Sequence, residues 1–182
     1  AAFVGDRENR RHLPGRALER PVYRFDVVAD LGAFRDLQRH RMLTMEWQRF
    51  TTRLGHDLPG DIVDAGLDGE WERIMAGADD LAEAIRAAHG PDAAQYAVPL
   101  ASHVRFVLDL DAREAFHLVE LRSQPAGHPN YRRIAREMHR QIAEVAGHRL
   151  IADAMTFVDR TDPGLERLAG ELRAEDRRRT GI

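Results

Sequence analysis

A regular apolar periodicity over residues 68–89 constrains the fold of this chain more than any other feature of its sequence. Apolar side chains recur there at the spacing of one side of an α-helix, at Trp71, Ile74, Met75, Ala78, Leu81, Ala82 and Ile85. The pair Gly90-Pro91 follows, and this pair is typical of a helix end. The pattern therefore predicts an amphipathic helix over Asp68–His89.

Two other segments show the alternation typical of strands. Val22–Val28 and Val98–Leu110 each place apolar residues at every second position. The strands do not alternate regularly with helices, so antiparallel pairing is favoured. The sequence thus predicts an α+β fold, with an antiparallel sheet flanked by helices. Besides the helix over 68–89, we expect helical segments near residues 30–38, 61–65, 92–96, 111–122 and 130–146.

The length of 182 residues predicts one domain over residues 1–182. Residues 1–20 form a charged lead-in, and residues 162–182 are expected to form a solvated helical tail. The chain has no cysteine, so the simplest expectation is an intracellular, cytoplasmic location without disulfides. No apolar run approaches the roughly 20 residues that span a bilayer.

Arginine supplies all 27 basic residues, and lysine is absent. Coding bias explains such a composition, but arginine is also the side chain best suited to forked recognition of phosphate and carboxylate. The absence of lysine excludes Schiff-base chemistry. The formal net charge of −3 excludes a polyanion binder that acts through its overall charge.

The stretch Arg39-His40-Arg41, followed by Gln48 and Arg49, is the most unusual part of the sequence. Three cationic or titratable residues in a row point in several directions, so they can hold a polyphosphate from more than one side. The alternative is a solvated basic corner that pairs with acidic neighbours.

A second polar stretch, Asp111–Arg122, combines arginine and histidine with apolar residues on a predicted helix. Arg113 and His117 lie four residues apart and project from one side of that helix. Either they and Arg122 bind an anionic ligand, or they form ordinary surface pairs. The histidines show neither HExxH order nor repeated Glu-x-x-His pairs, so we expect no metal site. Glycine-rich phosphate loops and a nucleophile elbow are also absent from the sequence.

The order and separation of these two stretches resemble the signature of the flavin-dependent thymidylate synthases. That family carries Arg-His-Arg followed by Gln-Ser-x-Arg, and a downstream helix with Asn-x-Arg, then Asn or His, then a final Arg. Here the first element reads RHRMLTMEWQRFT, from Arg39 to Thr51, and the helix reads DAREAFHLVELR, from Asp111 to Arg122. The likeness runs from Pro14 to Val158 and implies a divergent domain of the thymidylate-synthase-complementing-protein type.

The resemblance implies roles for the residues that match. Five of them correspond to flavin-contacting positions and are expected to bind FAD: Arg39, His40, Arg41, Arg113 and His117. Gln48, Arg49 and Arg122 are expected to bind the substrate. Arg122 is also expected to act in catalysis, by stabilising negative charge that develops on the pyrimidine ring.

The resemblance also implies the reaction, which is reductive C5-methylation of a uridylate-type nucleotide such as deoxyuridylate (dUMP). Methylenetetrahydrofolate supplies the methylene group, and hydride passes from NADPH through FAD. This implies a flavoprotein methyltransferase of nucleotide biosynthesis that works as a homotetramer, with each flavin held between subunits. Neither a nucleic acid nor a membrane is expected as a partner, and the scarcity of aromatics among the arginines also argues against nucleic acid.

Several positions depart from the family pattern. The family serine is Arg49 here, the following arginine is Thr51, and a common phosphate-binding arginine is Gln95. Either Arg49 replaces the lost cation, or the chain is a degenerate, non-catalytic domain that serves oligomerisation or regulation. The chain also begins abruptly for this family, which indicates a fragment or one half of a longer duplicated protein.

Overall fold

The computed structural model describes residues 3–161 and 167–180. Two compact units make up the chain. The first takes in Ala1–Phe25, Leu37–Thr44 and Leu108–Ile182, and the second takes in Asp26–Asp36 and Met45–Val107. The expectation of a single domain stays a prediction, and part of its helical tail, residues 162–166 and 181–182, lies outside the described residues.

The three strands form one sheet and confirm the α+β class. They are β1 (Val22–Asp30), β2 (Leu43–Trp47) and β3 (His103–Asp111), in the order β1-β3-β2. The Ala112 N–H donates to the Pro21 carbonyl at 2.8 Å, and the Leu31 N–H donates to the Ser102 carbonyl at 2.9 Å. These two bonds make β1 and β3 antiparallel. The register places Arg24 opposite Asp109, and their side chains form an ion pair at 2.6 Å.

The strand predictions were right in part. β1 covers the predicted segment, whereas β3 begins at His103 rather than Val98. Pro99 lacks an N–H for a strand ladder, and its carbonyl accepts the Ser102 N–H at 3.1 Å in a turn. β2 was not predicted, although Leu43, Met45 and Trp47 alternate with Thr44 and Glu46, because the alternation covers only five residues and follows directly on the polar stretch Arg39–Arg41.

Two predicted helix starts carry aspartate caps. The Asp30 carboxylate accepts the Ala33 N–H at 2.8 Å, and the Asp111 carboxylate accepts the Glu114 N–H at 2.7 Å. The helices are α1 (Leu31–Leu37), α2 (Gly60–Asp64), α3 (Asp68–His89), α4 (Pro91–Ala94), α5 (Ala112–Arg122), α6 (Pro129–Glu144), α7 (Arg149–Asp153) and α8 (Arg167–Thr180).

Helix α3 has the predicted bounds and ends at Gly90, whose φ of 85° lies in the left-handed region. Its buried side is narrower than the sequence pattern indicated. Met75 and Ala82 are buried, but Ile74 is 62% exposed and Leu81 is 53% exposed. Among the described residues, we find no helix with the length and apolar character that crossing a bilayer requires.

Helix α5 is the most deeply buried element of the first unit. Its buried residues are Ala112, Glu114, Ala115, Phe116, Leu118, Val119 and Glu120. Arg7 of the lead-in donates to Glu120 through both guanidinium Nη atoms, and its guanidinium carbon lies 5.0 Å from the Phe116 ring centroid and 5.2 Å from the Phe157 ring centroid. The lead-in, in which Arg16–Glu19 form a short 3₁₀ helix, is thus connected to α5 by a buried ion pair.

Candidate functional site

A cavity of about 280 Å³ in the first unit brings the two polar stretches together. One wall is the segment between α1 and β2, and the other is α5. The lining residues are Arg39, His40, Arg41, Met42, Glu114, His117, Leu121 and Arg122. On α5, the offsets of three, seven and eight residues from Glu114 keep the lining side chains on adjoining sides of the helix.

His40 and Glu114 form a buried pair in the cavity wall. The His40 Nδ1 lies 2.8 Å from a Glu114 carboxylate oxygen, and the two side chains are 3% and 8% exposed. A carboxylate accepts hydrogen bonds, so Nδ1 carries the hydrogen. Glu114 was not predicted as a site residue, although it lies three positions before His117 on the same helix.

Arg122 contacts both His40 and Tyr131. Its Nε donates to the His40 Nε2 at 3.0 Å, and its guanidinium carbon lies 5.3 Å from the Tyr131 ring centroid. Burial is the main cause that lowers the pKa of Arg122; Tyr131 opposes this lowering, and Arg39 adds to it. The guanidinium nevertheless stays charged at neutral pH.

Gly127 allows the Tyr131 ring to lie where it does. A Cβ built on Gly127 would come within 2.5 Å of Tyr131 Cε2 and 2.8 Å of its hydroxyl oxygen. Gly127 is therefore needed for close approach of the ring, and its backbone N–H closes a turn on the Gln124 carbonyl at 2.9 Å. No pattern in the sequence connects Tyr131 to the cavity.

The ring of His117 lies beside that of His40, with centroids 5.4 Å apart and planes inclined by 59°. Burial lowers the pKa of His117 from its usual value near 6.5. Glu114 opposes this lowering, and Arg10 and Arg122 reinforce it. The His117 ring is therefore mostly neutral at pH 7 and offers one donor and one acceptor to a ligand.

His40, Glu114 and His117 each have a ligating atom within 4.8 Å of the others, as in a small metal centre. We expected no metal site, and the single Glu-x-x-His spacing of Glu114 and His117 was the signal for this cluster. Both ring nitrogens of His40 are already engaged, one by Glu114 and one by Arg122. A guanidinium against the same imidazole also repels a cation, so the geometry favours hydrogen bonding over metal ligation.

The other predicted site residues, Arg113, Gln48 and Arg49, are not among the residues that line this cavity. The Arg113 Nε donates to the Pro14 carbonyl at 2.9 Å, and its Nη1 lies 3.6 Å from Glu19. Arg113 is close to His117 around the helix, but the cavity is centred on the other side of His117, towards Glu114 and Leu121.

Gln48 and Arg49 belong to the second unit. The Gln48 N–H donates to the Arg105 carbonyl at 3.0 Å. Arg49 pairs with Asp92 at 2.9 Å, with both side chains largely exposed. Gln95, at the position where we expected a family arginine, accepts the Phe50 N–H at 3.1 Å. In this unit Arg49 and Gln95, which depart from the family pattern, therefore contact other residues of the same unit.

The chain thus has an α+β fold, and its first unit holds a cavity lined by arginine and histidine side chains. The chain matches the family model described as thymidylate synthase complementing protein over residues 7–147. That range includes both arginine-histidine stretches. The chain belongs to the thymidylate synthase complementing protein family.

The curated relatives are UPF0159 proteins. The chain is 42% identical to one from Chlamydia muridarum over 170 residues, which are 93% of this chain and 32% of the relative. It is 39% identical to one from Thermoplasma acidophilum over 168 residues, which are 92% of this chain and 33% of the relative. The chain thus spans about a third of the length of the curated relatives it matches.

Proposed function

We propose that this domain binds FAD and takes part in reductive C5-methylation of a uridylate-type nucleotide such as dUMP. Methylenetetrahydrofolate and NADPH are the proposed co-substrates. The observation that carries the proposal is the meeting of Arg39–Arg41 with His117 and Arg122 around one cavity. Membership of the thymidylate synthase complementing protein family supports the same chemistry.

The residues around the cavity fit a flavin nucleotide in their chemistry. Three guanidinium groups and a neutral imidazole are suited to a phosphate, or to an electron-rich ring with several acceptors. The volume of about 280 Å³ fits one part of a dinucleotide, since pockets for whole drug-sized ligands measure about 300–1,000 Å³. A second copy of the chain is therefore proposed to hold the rest of the FAD, as in a homotetramer.

Each residue has a proposed role. Arg39, His40, Arg41 and His117 hold the flavin, and Arg113 contributes from the edge of the same helix. FAD, when bound, supplies the hydride that it receives from NADPH. Arg122 contacts the nucleotide and stabilises negative charge on its ring, because a fixed guanidinium in a partly buried cavity needs little reorganisation as charge develops. Gln48 and Arg49 are proposed to bind the substrate phosphate.

The test combines absorption spectroscopy with turnover by the full chain. The purified protein should bind FAD stoichiometrically, and with FAD, NADPH, methylenetetrahydrofolate and dUMP it should form thymidylate. Arg122→Ala should abolish turnover, whereas Arg53→Ala, a substitution in the exposed pair with Glu83, should leave turnover unchanged. A colourless protein that binds neither FAD nor dUMP would overturn the proposal.

A second candidate function is a non-catalytic domain that serves oligomerisation or regulation. The rewritten positions favour it, because Thr51 stands where the resemblance places an arginine. Likewise, the Gln95 side chain accepts the Phe50 N–H at a position where the resemblance places a phosphate-binding arginine. This candidate predicts no turnover and an unchanged oligomeric state in Arg122→Ala. Turnover by the wild-type chain would exclude it.

A further inference from the structure

We propose that Glu114 is a positioning residue that orients the Arg122 guanidinium through His40. This inference rests on the proposed function, because it concerns how the cavity presents Arg122 to an anionic ligand. Three contacts carry it: Glu114 with His40, His40 with Arg122, and Arg122 with Tyr131.

The first contact, between Glu114 and His40, determines that the Nδ1 of His40 carries a hydrogen. The Glu114 carboxylate lies 2.8 Å from Nδ1, and both side chains are buried. A buried carboxylate needs a donor, and Nδ1–H supplies it. The backbone N–H of Glu114 is bound by the Asp111 cap, so the start of α5 does not depend on the Glu114 side chain.

The second contact requires a lone pair on His40 Nε2. The Arg122 Nε, at 3.0 Å, has only a hydrogen to offer, so Nε2 must accept. The imidazole is therefore neutral with its hydrogen on Nδ1, and both neighbours require this same tautomer. Loss of the carboxylate would permit the other tautomer, in which two N–H groups face each other at this distance.

The third contact completes the orientation of Arg122. A guanidinium is planar and turns as one unit, so a hydrogen bond at Nε together with a ring contact restrains its orientation. His40 accepts from the Arg122 Nε, and the guanidinium carbon lies over the Tyr131 ring, 5.3 Å from its centroid. Glu114 thus acts on Arg122 without touching it, and the acceptor at residue 114 matters more than its charge.

The direct test is the tautomer of His40 in the 182-residue chain, measured by two-dimensional NMR of ¹⁵N-histidine-labelled protein. The signal is assigned by its loss in His40→Gln. We expect a neutral ring with hydrogen on Nδ1 in the wild type and in Glu114→Gln, whose amide oxygen still accepts. Glu114→Ala should shift the population towards the Nε2–H tautomer. An Nε2–H tautomer in the wild type, or an unchanged tautomer in Glu114→Ala, would overturn the inference.

The consequence for ligand binding is measured by calorimetric titration with dUMP. Glu114→Ala should weaken binding about tenfold, as expected when a charge-assisted hydrogen bond loses its geometry, and Glu114→Gln should stay within about twofold of the wild type. Adding Glu114→Ala to Arg122→Ala should have no further effect. Equal losses in Glu114→Ala and Glu114→Gln would contradict positioning through an acceptor.

A variant at residue 40 provides a second test of the inference. In His40→Gln the amide oxygen can accept from Arg122 without help from residue 114, so adding Glu114→Ala in that background should not weaken dUMP binding further. A further loss of dUMP binding in this double variant would overturn the inference. A wild-type chain that binds no dUMP would defeat the proposed function, yet the tautomer measurement would still decide this inference.

Discussion

Basic side chains pair with acids both around helix α5 and in the segment of residues 49–53, but the two regions differ in burial. Around α5, Glu114 and Glu120 are 8% and 0% exposed and are held by His40 and Arg7. In the segment of residues 49–53, Arg49 pairs with an Asp92 side chain that is 81% exposed, and Arg53 pairs with an exposed Glu83.

This difference teaches that similarity to a family signature does not by itself identify a binding geometry. An exposed pair is screened by water and contributes about 0–1 kcal/mol. Removing the partner of a buried charged group lowers the free energy of unfolding far more, because the remaining charge is left without solvation. The α5 side chains therefore keep fixed directions, whereas Arg49 can leave Asp92 at little cost to bind a phosphate.

The largest expected effect comes from breaking the buried pair of Glu120 with Arg7. Glu120→Ala leaves a buried guanidinium, and it also removes the acceptor of the Phe157 N–H. We expect the free energy of unfolding to fall by about 3–5 kcal/mol in urea denaturation. The matched change in the exposed region, Glu83→Ala, should leave the unfolding midpoint unchanged. Equal effects of the two substitutions would remove the basis of the comparison.

The next largest effect compares how arginines of the two regions contribute to dUMP binding. Arg122→Ala should weaken dUMP binding by about tenfold or more, because it removes an oriented charged donor. Arg49→Ala should weaken binding by no more than about fivefold, with a loss that shrinks at high salt, as expected of an exposed charge. Calorimetric titration at two salt concentrations measures both. A larger loss from Arg49→Ala would reverse the ranking of the two regions.

A smaller effect is expected at Gly127. An added methyl group displaces the end of the Tyr131 side chain, at a cost of about 1 kcal/mol, and moves the ring away from Arg122. Gly127→Ala should therefore weaken dUMP binding about threefold and lower the free energy of unfolding slightly. Gly77→Ala is the control: nothing lies within 4 Å of its added Cβ, and alanine favours the helix. Binding unaffected by Gly127→Ala would indicate that Tyr131 does not restrain Arg122.

The smallest effect is a pH dependence. Burial lowers the pKa of His117 in the folded chain, so below about pH 6.5 the unfolded chain binds a proton that the folded chain resists. Stability should therefore fall as pH falls through that value. His117→Gln should reduce the slope of the free energy of unfolding between pH 7 and pH 5, measured in urea. An unchanged slope would contradict the burial of His117.

Local features of the fold were readable from the sequence, and distant contacts were not. The helix over Asp68–His89 and the aspartate caps at Asp30 and Asp111 follow from spacing and from neighbouring side chains. Strand β2 alternates apolar and polar residues over only five positions, and its existence depends on pairing with β3. Local spacing is therefore enough for a long helix but not for so short a strand.

The same limit applies to the cavity. Arg39–Arg41, His117 and Arg122 were recognisable as two motifs, and the structure brings them together. Glu114 was missed because its partner His40 is 74 residues away in the chain. The spacing of Arg113 and His117 predicted that they share one side of the helix, but it does not reveal that the Pro14 carbonyl lies within reach of the Arg113 Nε.

The contact of Arg7 with Glu120 has a consequence for how this unit acquires its structure in time. The two residues are 113 positions apart, so a ribosome adding about 5–20 residues per second completes the pair on the order of ten seconds after Arg7 is made. Arg39–Arg41 must likewise wait for α5. The contacts on both sides of α5 therefore form late in folding. Because these contacts join distant parts of the chain, we expect ligand binding to appear more slowly than helix formation.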